Sequence, residues 1–452
     1  MTSPFSLERA ARDAAEKTAL VFEDGHSWTF ATWAERAREV APRITSSSAD
    51  HPLALAGTWK ESTLAWLGAA LELERPILLV HPRASESHRS RLISAARATT
   101  YFDGEHELAF ENEPYVALPH GAQLLLETSG SSGVPKLVVH TSSSLEAAAT
   151  ASARNLGWEA DDRWLVSLPL AHVGGLSALL RCLLARKTSV IGRLATDDAK
   201  SSKDLLERLE ITLVSLVPTQ LARLLADEDF RFPERVRAVL VGGAPLTPEL
   251  RRRALDRGVP LLATYGMTEF GSQIATERPG DSGNGVGRAL PETEIRLDDE
   301  GRIFVRGPTA CAGYLGKPSP FDVDGWFATN DRGTFDEHGH LHVLGRSDAM
   351  LITGGENVHP ELVEAALTSH DAVLEACVVG RPHAEWGDEI CAVVVLRHGT
   401  RDEHEANVTA WLRRELPSYA VPKRLYFWEE IPHLPSGKLD RRATRERVGA
   451  GG

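Results

Sequence analysis

Short, largely apolar runs recur along the chain between segments with helical periodicity, and they limit its fold more than any other feature. The runs cover Pro76–Val80, Leu124–Leu126, Leu137–Val139, Trp164–Leu168, Leu213–Val217 and Ala238–Val241. Apolar runs of this length are typical of strands that are buried on both faces, as in parallel sheets covered by helices. We therefore predict an α/β fold whose large N-terminal domain consists of layered, mostly parallel sheets.

The later part of the chain has a different pattern. Glu294–Val305 predicts an antiparallel hairpin, which adds a β-barrel-like part to the large domain. The segments after Gly345–Asp348 predict helices at Pro360–Leu367 and Glu405–Leu416, strands at Ala376–Val379 and Cys391–Leu396, and a basic tail. A chain of 452 residues exceeds one ordinary core. We predict an N-terminal domain, 1–346, and a small mobile α+β C-terminal domain, 347–452.

Composition and charge restrict where such a chain can work. The formal net charge of −13 argues against a nucleic-acid or anionic-membrane binder. The four cysteines are scattered without metal-ligand spacing, so we expect neither a zinc site nor a disulfide framework. The N-terminus lacks the apolar core of a signal peptide, and no apolar stretch approaches the ~18 residues of a membrane-spanning helix. We expect a cytoplasmic protein, with monomer and homodimer both open.

A Gly/Ser-rich loop joins two of the predicted strands. It consists of Thr128, Ser129, Gly130, Ser131, Ser132, Gly133, Val134, Pro135 and Lys136. Glycines allow the backbone N–H groups of such a loop to converge on one point, where hydroxyls and a lysine add donors for phosphate oxygens. A flexible linker has a similar composition, but this loop is short, lies between apolar strands and ends in Pro-Lys. We therefore interpret it as a phosphate-binding loop.

The loop resembles the TSGTTGxPK phosphate loop of the adenylate-forming superfamily, with Ser132 in place of the usual threonine. That superfamily contains acyl-CoA synthetases, amino-acid-adenylating domains and luciferases. Further motifs follow in the family's order up to the C-terminus. The resemblance implies that a carboxylate attacks the α-phosphate of ATP, with Mg²⁺ bound, to give an acyl-adenylate. It also implies that a thiol, such as that of CoA, then displaces AMP.

The sequence Tyr265-Gly266-Met267-Thr268-Glu269 matches a second family motif. By itself it is also typical of a helix start, with a capping threonine and an acidic first turn. The resemblance implies that Tyr265 stacks near the adenine, that Gly266 lies by the substrate and that Thr268 contacts the α-phosphate. It implies that Glu269 holds Mg²⁺, a hard cation that prefers carboxylate and phosphate oxygens.

Two more motifs match the family's nucleoside contacts. Gly243, Ala244 and Pro245 follow a predicted strand and resemble the adenine-side loop, although a plain turn between a strand and a helix has the same composition. Asp331 resembles the aspartate that accepts hydrogen bonds from both ribose hydroxyls, and Arg346 resembles the arginine that joins it.

The predicted small domain carries the remaining motifs. In Pro435–Asp440, Lys438 matches the family's catalytic lysine, although the basic residues that follow it are also typical of a solvated tail. Asp348 falls at the family's hinge position. Gly354 and Gly355 resemble a loop that lines the pantetheine tunnel after the small domain rotates, and they are equally compatible with a simple entry into the next helix.

The segment His172–Arg181 bears on the identity of the acid. Leu168–Leu176 lacks the aspartate with which amino-acid-adenylating domains pair the substrate ammonium. Leu176–Leu184 is apolar except for Ser177 and Arg181, as in a buried helix. A guanidinium on such a helix needs an anionic partner or access to solvent, and the partner is either an internal Asp or Glu, which residue statistics favour, or a second carboxylate of the substrate. His172 is compatible with a core position as well as with an acyl pocket.

The segments His172–Arg181, Leu213–Leu221 and Tyr265–Gln273 resemble the o-succinylbenzoate–CoA ligase family of menaquinone synthesis. That resemblance implies that Arg181 serves the aromatic carboxylate, that His172 lies by the acyl pocket and that Gly174 widens it, since serine is frequent there. A ligase for another aryl or medium-chain acid, and a stand-alone enzyme that loads a carrier protein, remain alternatives. A non-catalytic nucleotide-binding protein is disfavoured by the presence of Lys438, Glu269 and Asp331.

Overall fold

The computed structural model describes residues 3–45, 51–110, 118–128, 136–195, 198–281, 285–346, 350–353, 356–383, 387–434 and 437–450. Its helices are α1 Leu7–Ala14, α2 Phe30–Thr45, α3 Glu61–Glu72, α4 Glu86–Ala96, α5 Ser142–Leu156, α6 Val173–Ala185, α7 Ala199–Arg208, α8 Pro218–Leu224, α9 Pro248–Asp256, α10 Pro360–Thr368, α11 Arg401–Glu415 and α12 Arg441–Gly449. None of the helices in these ranges is long and apolar enough to cross a membrane.

The strands of the large domain are β1 Thr18–Phe22, β2 Ser27–Thr29, β3 Leu53–Ala56, β4 Ile77–Val80, β5 Thr100–Phe102, β6 Glu107–Ala109, β7 Ala122–Thr128, β8 Lys136–Thr141, β9 Arg163–Val166, β10 Thr188–Ile191, β11 Leu213–Leu216, β12 Ala238–Val241, β13 Leu261–Tyr265, β14 Ala275–Thr276, β15 Arg288–Ala289, β16 Glu294–Leu297, β17 Arg302–Arg306, β18 Gly313–Tyr314, β19 Phe327–Phe335 and β20 Leu341–Arg346. Those of the small domain are β21 Leu351–Thr353, β22 Glu356–Val358, β23 Val373–His383, β24 Gly387–Leu396 and β25 Arg424–Phe427.

Two mixed sheets form the centre of the large domain. One has the order β15-β14-β13-β12-β11-β9-β10-β1-β2, and its middle strands, from β13 to β1, are parallel. The other has the order β18-β8-β7-β4-β3-β5-β6, with β7, β4, β3 and β5 parallel. The central strands are buried along their whole length, which explains their uniformly apolar sequences. This arrangement confirms the predicted α/β fold of layered sheets.

Helices separate the two sheets and cover their outer faces. A core that includes α2, α3 and α6 packs against strands of both sheets. A second core lies on the other face of the nine-stranded sheet with α7, α8 and α9, and a third packs α4 on the seven-stranded sheet. The loops that follow β9, β11, β12 and β13 leave the nine-stranded sheet at one edge, because parallel strands share their carboxyl ends.

The β-rich part of the large domain is a four-stranded antiparallel sheet, β16-β17-β19-β20. It contains the predicted hairpin, with β16 and β17 in antiparallel register. The small domain packs a five-stranded sheet against α10 and α11. The prediction of a basic tail at the C-terminus is wrong. Arg441–Gly449 instead forms helix α12, which buries Thr444 and Val448 on one face. The four cysteines are buried free thiols.

Candidate active site

The carboxyl edge of the nine-stranded sheet brings several predicted residues together. Gly242 follows β12, and a Cβ there would lie 2.5 Å from Thr264 Cγ2 and 2.7 Å from the Thr264 carbonyl oxygen. Gly243 adopts a left-handed φ of +81°, which favours glycine. At Gly266, which follows β13, a Cβ would lie 1.5 Å from the Ser272 carbonyl oxygen. These glycines let the backbone turn sharply where a planar ligand could approach.

Tyr265 and Asp331 meet beside this turn, from two different sheets. The Tyr265 hydroxyl donates a 2.6 Å hydrogen bond to Asp331 Oδ2. Burial, and then the charge of Asp331, raise the pKa of Tyr265 well above its ordinary value, so the phenol stays a donor. Asp331 pairs in register with Arg346, and its backbone N–H donates to the Thr329 hydroxyl at 3.0 Å. The two predicted ribose residues are therefore neighbours on adjacent strands.

Thr268 and Glu269 lie in a short 3-10 helix directly after β13. His140, which is fully buried on β8, contacts the Thr268 carbonyl oxygen through Nε2 at 2.6 Å. Burial lowers the pKa of His140 to about 4, so the ring is neutral and Nε2 donates. Glu269 is 7% exposed, and its Oε1 accepts a 2.7 Å hydrogen bond from the Tyr314 hydroxyl. Backbone and side-chain contacts thus hold this turn against the phosphate-loop strand.

Lys438 enters this site from the small domain. It follows a tight turn in which Gly437 has φ +80° and Leu434 N–H donates to the Lys438 carbonyl at 2.7 Å. Its Cε lies 3.9 Å from the position of a Cβ on Gly243. Lys438 is an exposed residue, yet desolvation by the surrounding protein, followed by the nearby charge of Arg346, lowers the pKa of its ammonium group. The charges of Asp331 and Glu269 act in the opposite direction.

The phosphate loop is described at its two ends. Thr128 and Lys136 are register partners on β7 and β8, and Lys136 Nζ lies 5.2 Å from the centre of the Tyr314 ring. The residues between them, Ser129, Gly130, Ser131, Ser132, Gly133, Val134 and Pro135, lie outside the described residues. The same holds for the predicted hinge residue Asp348 and for Gly354 and Gly355.

His172 is the N-cap residue of helix α6, at the same edge of the sheet. Its Nε2 is buried without a hydrogen-bond partner among the described residues, and its ring centre lies 5.3 Å from that of His81. Burial, followed by His81 and the charge of Lys438, lowers the pKa of His172 to about 4. A Cβ at the adjacent Gly174 would be 3.3 Å from Leu168 Cδ1, so a side chain there would narrow the space. His172 is therefore a neutral ring near the predicted catalytic lysine.

Arg181 lies further along α6 and is 4% exposed. Within the part of the chain that the structure describes, its Nε and Nη2 have no hydrogen-bond partner, and no carboxylate pairs with it. Its guanidinium lies 5.5 Å from the centre of the Trp164 ring. Burial lowers the pKa of Arg181 to about 10, so it remains charged near neutral pH. Of the two partners considered above, an internal Asp or Glu is not observed among the described residues.

Two residues of the site were not predicted from the sequence. His81 directly follows β4, a strand that was predicted, so the rule that sites lie at the carboxyl ends of parallel strands could have identified it. Tyr314 lies on β18, which pairs with the phosphate-loop strand β8. Its role as a partner of Glu269 depends on contacts between segments distant in sequence, and no local pattern indicates it.

The described residues fit a magnesium ion that is shared with a phosphorylated ligand. They contain no cluster of three or more His, Cys, Asp or Glu side chains that could hold a metal alone. Glu269 offers one buried carboxylate, whose Oε1 is already engaged by Tyr314. Mg²⁺ is commonly bound by one or two carboxylates together with substrate phosphates. The donor set therefore suits Mg²⁺ only in the presence of a nucleotide.

Comparison with known proteins agrees with this geometry. Residues 119–315 match the family described as AMP-binding enzyme, and residues 362–438 match the AMP-binding enzyme C-terminal domain. The 2-succinylbenzoate–CoA ligase of Listeria monocytogenes serotype 4b (strain F2365) is 32% identical over 98% of each chain. A Bacillus subtilis o-succinylbenzoate CoA synthetase, solved with its acyl-adenylate intermediate, superposes with a TM-score of 0.86 at 29% identity, covering 98% of both chains. The structure of the same enzyme with ATP and a magnesium ion superposes with a TM-score of 0.84 at 29% identity, covering 97% of this chain and 98% of the other.

Proposed function

Because this chain belongs to the AMP-binding enzyme family, we propose that it joins o-succinylbenzoate to CoA, with conversion of ATP to AMP and pyrophosphate. It is an AMP-forming acid–thiol ligase. The similarity to 2-succinylbenzoate–CoA ligases extends over almost the whole chain, which supports the same substrates here. The relative solved with ATP and magnesium supports both as cofactors.

The observation that carries the choice of acid is the unpaired guanidinium of Arg181. A buried cation without a partner is unfavourable unless a ligand supplies the missing charge. o-Succinylbenzoate has two carboxylates, of which only the succinyl one is activated. The nine positions from His172 to Arg181 correspond to roughly 13 Å of helix rise. The charge of Lys438 acts on His172, and His172 and Arg181 belong to the same helical segment, so we place the acid beside α6 with its ring carboxylate toward Arg181.

In the first half-reaction, the succinyl carboxylate attacks the α-phosphorus, and the bond to the pyrophosphate oxygen breaks with pyrophosphate taking the electron pair. Lys438 supplies positive charge between the carboxylate and the α-phosphate, and Thr268 contacts that phosphate. Asp331 and Arg346 hold the ribose, and Gly243–Pro245 with Tyr265 enclose the adenine. Lys136 and the loop before it bind the departing phosphates. When bound, Mg²⁺ on Glu269 offsets the charge that develops on pyrophosphate.

In the second half-reaction, the CoA thiol loses its proton to solvent and its sulfur attacks the acyl carbon of the adenylate. The bond from that carbon to the phosphate oxygen breaks, and AMP leaves with the electron pair. We propose that the small domain, which begins after Arg346, turns about Asp348 and withdraws Lys438. Gly354 and Gly355 then line the path of the pantetheine arm. Rotation of one domain between two chemistries is a known way to reuse a site. Lys438 serves only the first half-reaction.

Four further proposals concern the pathway, the partners, the location and the oligomeric state of the enzyme. The product fits a step of menaquinone synthesis, and the net charge of −13 supports a protein without nucleic-acid or membrane partners. We place the enzyme in the cytoplasm, with free cysteines as in a reducing compartment. The enzyme works as a monomer or a homodimer, and light scattering after size-exclusion chromatography distinguishes the two.

A pyrophosphate-release assay over a panel of acids, with and without CoA, tests the assignment. We expect o-succinylbenzoate to give the highest kcat/KM, with thioester formed only when CoA is present. Pyrophosphate release with benzoate or octanoate equal to that with o-succinylbenzoate would refute the assignment of o-succinylbenzoate as the substrate. Transfer of the acyl group to the phosphopantetheine of a carrier protein in preference to CoA would refute the assignment of CoA as the acceptor.

A further inference from the structure

Tyr314 connects two parts of the site that the sequence treats as separate. Its hydroxyl donates a 2.7 Å hydrogen bond to Glu269 Oε1, and the face of its ring lies 5.2 Å from Lys136 Nζ. Among the described residues, no other group donates to the Glu269 carboxylate. One tyrosine therefore contacts both the metal-ligand carboxylate and the lysine that ends the phosphate loop.

The backbone around Tyr314 is held firmly on both sides. Tyr314 pairs in register with Val138 on β8, and Leu315 N–H donates to the Leu137 carbonyl at 2.8 Å. Three residues earlier, Cys311 N–H donates to the carbonyl of Glu269 itself, also at 2.8 Å. The phenol and the backbone of Glu269 are thus parts of one hydrogen-bonded unit, and the phenol has little freedom to move away.

The chemistry of this contact favours a fixed carboxylate orientation. The Tyr314 hydroxyl is the donor in this 2.7 Å contact, because an ionised carboxylate oxygen can only accept. With Oε1 engaged, the other carboxylate oxygen is the one available to a cation. Hydrogen-bonding partners of this kind commonly orient metal-binding carboxylates, and their removal typically weakens metal binding about 10- to 100-fold.

We propose that Tyr314 is a positioning residue, which orients Glu269 for Mg²⁺ and couples that orientation to the phosphate-loop strand. The inference rests on the adenylation reaction proposed above. It predicts that loss of the hydroxyl lowers the affinity for the metal ion, whereas the affinity for the adenosine part of the ligand does not change.

The test is Mn²⁺ binding, followed by electron paramagnetic resonance, to the enzyme with α,β-methylene-ATP, which cannot undergo the reaction. Tyr314→Phe keeps the ring beside Lys136 and removes only the hydroxyl. We expect its dissociation constant for Mn²⁺ to rise about 10-fold. Tyr426→Phe, which alters a half-buried tyrosine of the small domain, serves as the matched control and should bind Mn²⁺ like the wild type.

Two further measurements distinguish positioning from general damage. Affinity for AMP without metal, and thioester formation from supplied acyl-adenylate, should be unchanged in Tyr314→Phe. A Mn²⁺ dissociation constant within twofold of the wild type and of Tyr426→Phe would overturn the inference. An equal loss in both half-reactions would also overturn it. Because the Mn²⁺ measurement contains no acid, its result is independent of whether o-succinylbenzoate is the substrate.

Discussion

Replacement of Arg181 by methionine separates the functional role of this side chain from a structural one. Methionine fills a similar apolar path without a charge. In the ligand-free protein, the guanidinium is 4% exposed, and its pKa falls from 12.5 to about 10 because of burial. Each pH unit of that change corresponds to 1.36 kcal/mol, so the buried charge reduces stability by about 3 kcal/mol. This loss is fully present below pH 10 and is relieved only above it.

The substitution also removes a favourable contact. Arg181 lies 5.5 Å from the Trp164 ring centre, and a desolvated cation–π contact is worth about 1–2 kcal/mol. The net result is a variant that is more stable by about 1–2 kcal/mol, with a melting temperature higher by roughly 1–3 °C. Differential scanning calorimetry measures this shift, and Arg252→Met, which alters an exposed arginine of α9, provides a control with little expected change.

Catalysis should change in the opposite direction. Loss of charged hydrogen bonds to the second carboxylate lowers kcat/KM for o-succinylbenzoate by about 2–3 kcal/mol, or roughly 30- to 150-fold. The loss should lie mainly in KM, because that carboxylate is remote from the reacting phosphorus. With 4-oxo-4-phenylbutanoate, which lacks the ring carboxylate, wild type and variant should have similar kcat/KM. A lower melting temperature together with equal losses for both acids would refute the ligand role of Arg181.

Three other substitutions test the site and its framework. Lys438→Ala should slow adenylation about 10²- to 10³-fold in a pyrophosphate-exchange assay, and it should spare thioester formation from supplied acyl-adenylate. His140 has a folded pKa of about 4 against 6.5, so acidification from pH 6.5 to 4 protonates the unfolded chain first and removes about 3 kcal/mol of stability. Urea unfolding at pH 6.5 and at pH 4 gives the free energy of unfolding at each pH. In His140→Gln, the decrease between the two values should be smaller by about 3 kcal/mol. Arg441 is paired with Glu361 and Glu364 between α12 and α10, so Arg441→Ala should destabilise the small domain by about 3–5 kcal/mol in calorimetry.

Each of these expectations has a clear contrary result. Equal losses in both half-reactions of Lys438→Ala would contradict the withdrawal of this lysine before thioester formation. An unchanged pH dependence in His140→Gln would mean that other groups control acid unfolding. For Arg441, the matched control is Arg442→Ala, whose guanidinium is exposed in an i,i+4 pair with Glu446. Similar melting temperatures for the two arginine variants would show that the buried ion pairs add little to stability.

The strands can be predicted from the sequence where both faces are buried, because every residue of such a strand is then apolar. Ala238–Val241 was predicted with the bounds that the structure has, because β12 is covered on both faces and every position is apolar. Leu213–Val217 was one residue too long, since Val217 is the residue before the first turn of α8. Helix α12 was missed because charge dominates its sequence, and only Thr444 and Val448, four residues apart, face the core.

The sequence by itself determined the tight turns and the family motifs of this protein, because these depend on a few consecutive residues. The glycines after β12 and β13 are required by the backbone in their own turns and by close approach to neighbouring main chain, and the motif order identified the family. Tertiary packing alone decided which distant groups meet: Lys438 with the large domain, Tyr314 with Glu269, and Arg181 with no carboxylate among the described residues. Local propensity depends on a few consecutive residues, whereas the partner of a buried charge depends on which surfaces pack together. For this reason the sequence leaves the partner of Arg181 open, and only the fold shows that its guanidinium has no carboxylate partner among the described residues.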